Sequence, residues 1–425
     1  MQIPELYQLF LKHPNIESDT RKLKSGDLFF ALKGPNFNAN QFIQDALQAG
    51  AVYTVVDEYE GPDDNRIIKV TDVLFTLQEL AKYHRLQFSI PFIAITGSNG
   101  KTTTKELAHE VLSTTYTTYT TEGNLNNHIG IPLTILKVKA DAQMVIIEMG
   151  ANHQKEIQAY CSYTQPTHGL ITNCGKAHLE GFGGIEGIRK GKGELFGYLR
   201  ENGGTAFLMN DYTYLREMSA GINKIFTYGT RDADITGLIK DSKSFLEAEI
   251  TRGADIDCIK TKLVGEYNLP NILAAVSLGK FFKVPDDKIK QALENYTPSN
   301  SRSQLIEKDG NKIILDAYNA NPTSMKAAIE NFVKMEGENK ILMLGGMMEL
   351  GEASIAEHQS IISLINNYKW KKVVLVGGDY HKLTHAYINF ENSIQAREWL
   401  HQQNFINTQF LIKGSRSMQM EKVLE

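Results

Sequence analysis

Short apolar runs alternate with longer stretches of helical period over most of this chain. From residue 92 onward, strand-like runs at 92–96, 144–148, 169–172 and 206–209 are separated by polar joints and by helical patterns such as 185–199. This alternation predicts a mostly parallel sheet flanked by helices. Residues 235–264 break the rhythm and read as short strands without long helices between them, so an antiparallel edge or appendix is expected there. A helical apolar period returns at 268–283, and proline and small polar residues then mark a boundary at 296–302. Beyond it, strands at 312–316, 341–344, 373–376 and 410–412 alternate with helices at 324–335, 355–368 and 393–403, which predicts a second doubly wound domain. At the start of the chain, apolar runs at 27–33 and 51–57 accompany an amphipathic stretch at 41–47, as in a small α/β module. The expected fold class is α/β with three domains: an N-terminal module over 1–82, a central parallel-sheet domain over 83–297, and a C-terminal Rossmann-like domain over 298–425.

Size and composition narrow the picture. A chain of 425 residues suits about three domains of roughly 100–200 residues each. A formal net charge of -4 gives no electrostatic footprint for DNA or RNA, so nucleic acid is not an expected partner. The first residues lack a basic flank followed by an apolar core, and no apolar run approaches the roughly 18 residues of a membrane span. A cytoplasmic protein without membrane insertion is expected, and in the absence of heptads, a monomer. Cys161, Cys174 and Cys258 show no CxxC spacing and read as small buried hydrophobes rather than as a disulfide or zinc framework.

The sharpest chemical signal lies where the apolar run ending at Ile95 enters Thr96-Gly-Ser-Asn-Gly-Lys-Thr-Thr-Thr. Gly97 and Gly100 can bend the chain so that the N–H groups of Ser98, Asn99 and their neighbours converge on one anion at a helix N-terminus. Lys101 is then placed to reach the outer phosphates, Thr102 to ligate Mg2+, and Thr103 to extend the cradle. Ile95 stands where the longer phosphate-loop pattern has a further glycine, so the spacing is the short Gly-x-x-Gly-Lys-Thr form. ATP is the expected nucleotide.

Other candidates admit two readings each. Glu148 ends the run 144–148, where a carboxylate at the C-terminal end of a parallel strand can hold Mg2+ or simply meet solvent. His178 follows 170–173 by a short loop and is either a metal ligand or a hydrogen-bonded loop residue. Lys192 sits in a basic run that reads as a solvated helix face, unless it is buried, where a neutral amine could take up CO2 as a carbamate. Asp316, Asn319 and Asn321, with Arg302 upstream, could meet ribose, base or phosphate, while Asn321-Pro322 is also good helix-capping chemistry. Asn36, Asn38 and Asn40 are ligand amides or turn formers.

Taken together, Thr96 to Glu106, Asn124-Leu-Asn-Asn-His-Ile-Gly-Ile-Pro132, Glu148-Met-Gly-Ala151 and Asp316-Ala-Tyr-Asn-Ala-Asn-Pro322 resemble the Mur ligases of peptidoglycan synthesis. Ala177-His-Leu-Glu-Gly-Phe182, Lys192-Gly-Glu-Leu-Phe196, Leu350-Gly-Glu352 and Lys413-Gly-Ser-Arg-Ser417 resemble, more narrowly, the MurF branch, whose substrates are UDP-N-acetylmuramoyl-tripeptide and D-alanyl-D-alanine. Asp19-Thr-Arg21 with Gly26-Asp-Leu-Phe-Phe-Ala-Leu32 is similar to that branch's UDP-sugar module. The resemblance implies an ATP-dependent amide ligase working through an acyl phosphate. It places Lys101 on the γ-phosphate, Thr102 and Glu148 on one Mg2+, and His178 with carbamylated Lys192 on a second. It also places Asn268 and Asn271 beside adenine, and has Arg302 and Asp316 close over ATP. The rivals are a sister amide ligase, whether Mur-type or folylpolyglutamate-like, and a P-loop ATPase switch. Two departures stand out. Gly346 lies where the branch usually has Asp, and Asn38-Ala-Asn-Gln-Phe42 lies where it usually has Asp-Gly-His-x-Phe. If the first had cost activity, Gly346→Asp would restore it.

Overall fold

The computed structural model describes residues 1–62, 64–298 and 301–425. Residues 299 and 300 of the expected boundary lie outside the described residues. Two compact units emerge: residues 1–94, 116–150 and 156–168 form one, and residues 95–115, 151–155 and 169–425 the other.

The first unit opens with helix Ile3–Lys12 and a fully parallel sheet in the order Ile16–Glu17, Leu28–Phe30, Tyr53–Val56, Ile67–Lys69. Leu28, Phe29 and Phe30 are all fully buried, as a parallel strand covered on both faces requires. Helix Val73–Arg85 starts at Asp72, whose carboxylate accepts the Phe75 N–H at 2.8 Å. Its last turn is tied down by Arg85, which donates to the carbonyls of Thr164 (2.9 Å), Gln165 (3.0 Å) and Phe88 (2.7 Å). Strands Phe92–Thr96, Met144–Glu148 and Thr118–Thr120 lie side by side in that order. In the first loop Asn38 accepts the Asn40 N–H as in a local turn, while Asn40 reaches across the unit, bonding Asp57 at 2.9 Å and accepting the N–H groups of Asp57 and Glu58.

In the second unit the strands run Cys258–Lys260, Glu247–Arg252, Ile235–Asp241, Lys224–Gly229, Thr205–Met209, His168–Ile171. The first two pairs of this series are antiparallel and the third is parallel, so the break in rhythm after residue 235 is a real antiparallel appendix. Helix Leu269–Phe281 is buried over nearly its whole surface and packs on helix Lys101–Ser113, which follows the glycine loop.

The C-terminal sheet has the order Gln304–Lys308, Asn311–Asp316, Gln409–Lys413, Lys340–Gly345, Lys372–Val376, Ile388–Phe390, with only the first strand antiparallel. Alternate residues enter opposite cores, as the two-residue period of a strand demands. Ile314, Leu342, Leu344, Leu375 and Leu411 pack with Met325, Phe332 and Ile361, while Ile313, Leu315, Met343, Val374 and Ile412 pack with Ala396 and Val423.

Two buried histidines give the fold a pH dependence. His84 donates through Nε2 to the Val138 carbonyl (2.8 Å) and accepts the Tyr7 hydroxyl at Nδ1 (3.0 Å). His358 donates through Nδ1 to the Ser354 carbonyl (2.8 Å) and accepts the Met347 N–H at Nε2 (3.0 Å). Burial lowers both below the usual imidazole value, partly offset by the carbonyl partners and, at His358, by Asp379 and Glu357. The unfolded chain therefore binds protons that the fold resists. Stability is expected to hold above about pH 6.5 and to fall by up to about 1.4 kcal/mol per pH unit per histidine as pH drops toward the lowered values. Chemical denaturation between pH 7.5 and 5 measures this, and His358→Gln should flatten the profile.

Candidate functional site

The glycine loop is built by its neighbours. Gly97 (φ 140°) and Gly100 (φ 82°) both lie in the left-handed half of backbone space, and a Cβ on either would collide, within 2.0 Å of Thr172 Oγ1 at Gly97 and 2.5 Å of Asn271 Oδ1 at Gly100. Ser98 donates its N–H to the Asn173 carbonyl (2.9 Å) and its hydroxyl to the Gly175 carbonyl (2.8 Å). The Asn99 N–H goes to Asn173 Oδ1 (3.1 Å), and the Asn99 carbonyl accepts Thr172 Oγ1 (2.6 Å) and Asn173 Nδ2 (2.9 Å). Thr172 and Asn173 are thus the clamps of the loop, and the Ser98 and Asn99 N–H groups, expected to converge on an anion, are instead donated to Asn173. The signal for these clamps was two polar residues closing an apolar strand beside the loop strand.

Lys101 Nζ donates to the carbonyls of Gly97 (2.7 Å) and Ser98 (3.2 Å), so the ammonium sits over the bend itself. Thr102 is buried and Thr103 half-buried on the first helical turn. Thr104 Oγ1 donates to Asn271 Oδ1 (3.0 Å), Asn271 Nδ2 donates to Asn268 Oδ1 (2.8 Å), and Asn268 Nδ2 donates to the Val264 carbonyl (2.9 Å). The two expected asparagines therefore stand against the loop and its helix, joined in one amide relay.

Glu148 belongs to the first unit. It closes its strand at 1% exposure, with Oε1 accepting Asn126 Nδ2 at 2.7 Å and its N–H donated to Thr121 Oγ1 at 3.0 Å. A strand-end carboxylate meeting solvent is excluded by that burial.

His178 occupies the left-handed region (φ 54°), and its Nδ1 pairs with a Glu349 carboxylate oxygen. The imidazole holds the Glu349 carboxyl below its ordinary range, against partial burial. Lys192 is not on a solvated face: it is 1% exposed, donates to the Ala151 carbonyl (3.1 Å) and lies 5.0 Å from the Phe182 ring centre. Burial pushes the nearby Cys174 thiol up to about 12 in spite of Lys192 and Arg189, so it is no thiolate nucleophile at neutral pH. All three cysteines are free and buried, as expected.

From the C-terminal sheet, Arg302 stacks its guanidinium 3.7 Å from the Tyr318 ring centre. Asp316 accepts Lys413 Nζ (2.6 Å) and the Ser303 N–H (3.2 Å). Lys413, buried to 2% exposure, also donates to the Asn319 carbonyl (3.1 Å), and the Asn319 side chain accepts the Ala320 N–H (2.9 Å). Asn321 caps helix Pro322–Lys334 through the Ser324 N–H and also donates to Asn99 Oδ1 at 2.7 Å, so it serves both as a cap and as a contact with the glycine loop. Among the described residues, no three His, Cys, Asp or Glu side chains group as a ready-made metal cage.

Comparison with known proteins gives this geometry its relatives. Residues 95–279 match the Mur ligase middle domain, and residues 301–403 match the Mur ligase, glutamate ligase domain. The chain is 35% identical over 366 residues to the UDP-N-acetylmuramoyl-tripeptide--D-alanyl-D-alanine ligase of Bacillus subtilis, covering 85% of this chain and 79% of that one. It is 34% identical over 423 residues to the ligase of the same name from Escherichia coli, covering 96% and 92%. Among solved structures, it superposes on MurF from Acinetobacter baumannii with a TM-score of 0.88 at 30% identity, covering 98% of this chain and 97% of that one. It superposes equally, at 26% identity and 97% coverage of both chains, on the MurF ligase of Thermotoga maritima in complex with ADP. With two Mur ligase models matched along it and relatives at 34–35% identity over most of its length, the chain belongs to the Mur ligase family, in the MurF branch.

Proposed function

We propose that this chain is an ATP-dependent amide ligase that joins D-alanyl-D-alanine to UDP-N-acetylmuramoyl-tripeptide, giving the UDP-muramyl pentapeptide precursor of peptidoglycan. The observation that supports it most is a phosphate loop whose two glycines admit no Cβ, in a chain similar over most of its length to ligases bearing that name. The terminal carboxylate of the tripeptide takes the γ-phosphoryl group of ATP to form an acyl phosphate with release of ADP. The amine of D-alanyl-D-alanine then attacks the acyl carbon and expels phosphate. Phosphoryl transfer onto a carboxylate brings negative charge to negative charge, and the site must offset it. In this reading, Lys101 exchanges the Gly97 and Ser98 carbonyls for the γ-phosphate. Asn268 and Asn271 border the adenine, and Arg302, Asp316 and Asn319 meet the nucleotide from the C-terminal domain.

The donor chemistry fits Mg2+, which takes hard oxygen ligands and shares its shell with phosphates and water. Thr102 and the buried Glu148 carboxylate are each donors of that kind. His178 and Lys192 would hold an ion, with Lys192 as a carbamate formed when its neutral Nζ adds to CO2 and loses a proton. Lys192 is 1% exposed, so its amine lies inside the protein rather than on a solvated face. When bound, Mg2+ supplies charge stabilisation for the transferring phosphoryl group.

The same reading divides the chain into a UDP-sugar module over 1–82, an ATP domain over 83–297 and a ligase domain over 298–425. It places the enzyme in the cytoplasm as a monomer. Among the described residues, no helix is long and apolar enough to cross a membrane.

The test is an incubation with Mg-ATP, UDP-muramyl tripeptide and D-alanyl-D-alanine, omitting each in turn, while ADP and product mass are followed. ADP together with a pentapeptide product only in the complete mixture is the expected result. ADP without a new amide would instead identify an ATPase switch. Lys101→Ala is expected to lower turnover by about 10²–10³-fold or more, as loss of one transition-state donor does.

A further inference from the structure

We propose that Glu349 is a positioning residue for His178, holding the Nδ1 edge of the imidazole so that Nε2 is the ring nitrogen presented to the nucleotide's divalent cation. The inference rests on the reading of His178 as a metal ligand and adds a residue to it. Glu349 lies in the loop after strand Lys340–Gly345, far along the chain from His178, yet its carboxylate meets His178 Nδ1. Both residues adopt left-handed backbone, φ 54° at His178 and φ 61° at Glu349, a conformation non-glycine residues rarely take and one that gathers at functional sites.

The segments that carry them are fastened to one another. Glu180 N–H points to the Glu349 carbonyl at 3.4 Å, and Gly351, itself at φ 54°, lies so close to Glu180 that a Cβ there would be 3.1 Å from the Glu180 Cβ. On the same side, Lys176 pairs with Glu357 at 2.5 Å, and its N–H donates to Thr323 Oγ1 at 3.0 Å. The pair is therefore held from both ends rather than made by one wandering side chain. A metal-binding histidine characteristically gives its other ring nitrogen to a carboxylate, which fixes ring orientation and tautomer and raises ligand basicity. Glu349 stands where that partner belongs.

Binding of Mn2+ to the full chain with a non-hydrolysable ATP analogue, followed by electron paramagnetic resonance, tests this without turnover. Glu349→Gln is expected to weaken Mn2+ binding about 10- to 100-fold. Affinity for the analogue in metal-free buffer should match the parent. The double variant Glu349→Gln with His178→Ala should bind Mn2+ no more weakly than His178→Ala alone, because Glu349 acts through His178. Parental Mn2+ affinity in Glu349→Gln, alongside a loss in His178→Ala, would overturn the positioning role while leaving the ligand reading intact. So would an additive loss in the double variant. Parental affinity in His178→Ala would remove both.

Discussion

Lys413→Met is expected to cost about 3–5 kcal/mol of folding free energy, the usual penalty for stranding one partner of a buried ion pair. Lys413 is 2% exposed and its ammonium has two partners, Asp316 Oδ2 at 2.6 Å and the Asn319 carbonyl at 3.1 Å. Methionine nearly matches the length and volume of the lysine stem, so the loss is one of charge and hydrogen bonding rather than of packing. Among the described residues, the Asp316 carboxylate, 16% exposed at its side chain, then keeps only the Ser303 N–H, and the Asn319 carbonyl loses its donor. Adding Asp316→Asn should recover part of the loss, because a buried pair replaced on both sides leaves no stranded charge. Both tryptophans, Trp370 and Trp399, pack against the cores of the C-terminal sheet, so denaturant titration by intrinsic fluorescence reads this region directly. A loss under about 1 kcal/mol would show that the pair contributes no more than a surface bridge.

Gly346→Asp is expected to destabilise the protein by about 1–3 kcal/mol or more and to raise turnover not at all. The family resemblance raised this substitution only conditionally, as one that would restore turnover if the departure at Gly346 had cost activity. The structure gives the steric reason: a Cβ on Gly346 would lie 2.5 Å from Gly378 Cα and 2.8 Å from Gly378 N, and backbone atoms cannot rotate away. Gly378, at φ 60°, faces Gly346 in return, with its own Cβ position 2.6 Å from Gly346 Cα. Hydrogen bonds from Gly346 N–H to the Val376 carbonyl (2.9 Å), from Ser415 N–H to the Gly346 carbonyl (3.1 Å) and from Met347 N–H to His358 Nε2 (3.0 Å) hold the strand end against that contact. The two glycines form a matched close approach in this chain. The departure is thus a local packing solution, and a Gly346→Asp variant as stable as the parent and more active would refute it.

Much of the architecture was legible before any coordinates. The antiparallel appendix after residue 235 and the alternating strands and helices beyond residue 312 follow from runs of neighbouring residues, and hydrophobic period is a property of neighbours. The glycine turn was equally legible, because Gly97 and Gly100 answer a local demand of backbone conformation. The roles of single polar residues were not. Lys192 and the asparagines at 38 and 40 each carried two readings, and burial turned the lysine away from solvent while hydrogen bonds put Asn38 in a local turn and tied Asn40 to Asp57 17 residues on.

By itself, then, the sequence determined the α/β class, the position of the glycine loop and the family to which the chain belongs. Each is written in short stretches whose physics is local: hydrophobic period and turn chemistry. Only the tertiary structure decided which charges are buried and what they face. Lys413 meets Asp316 across 97 residues, Asn321 meets Asn99 across 222, and Glu349 meets His178. Desolvation and ion pairing depend on distance in space, and distance along the chain carries no record of it.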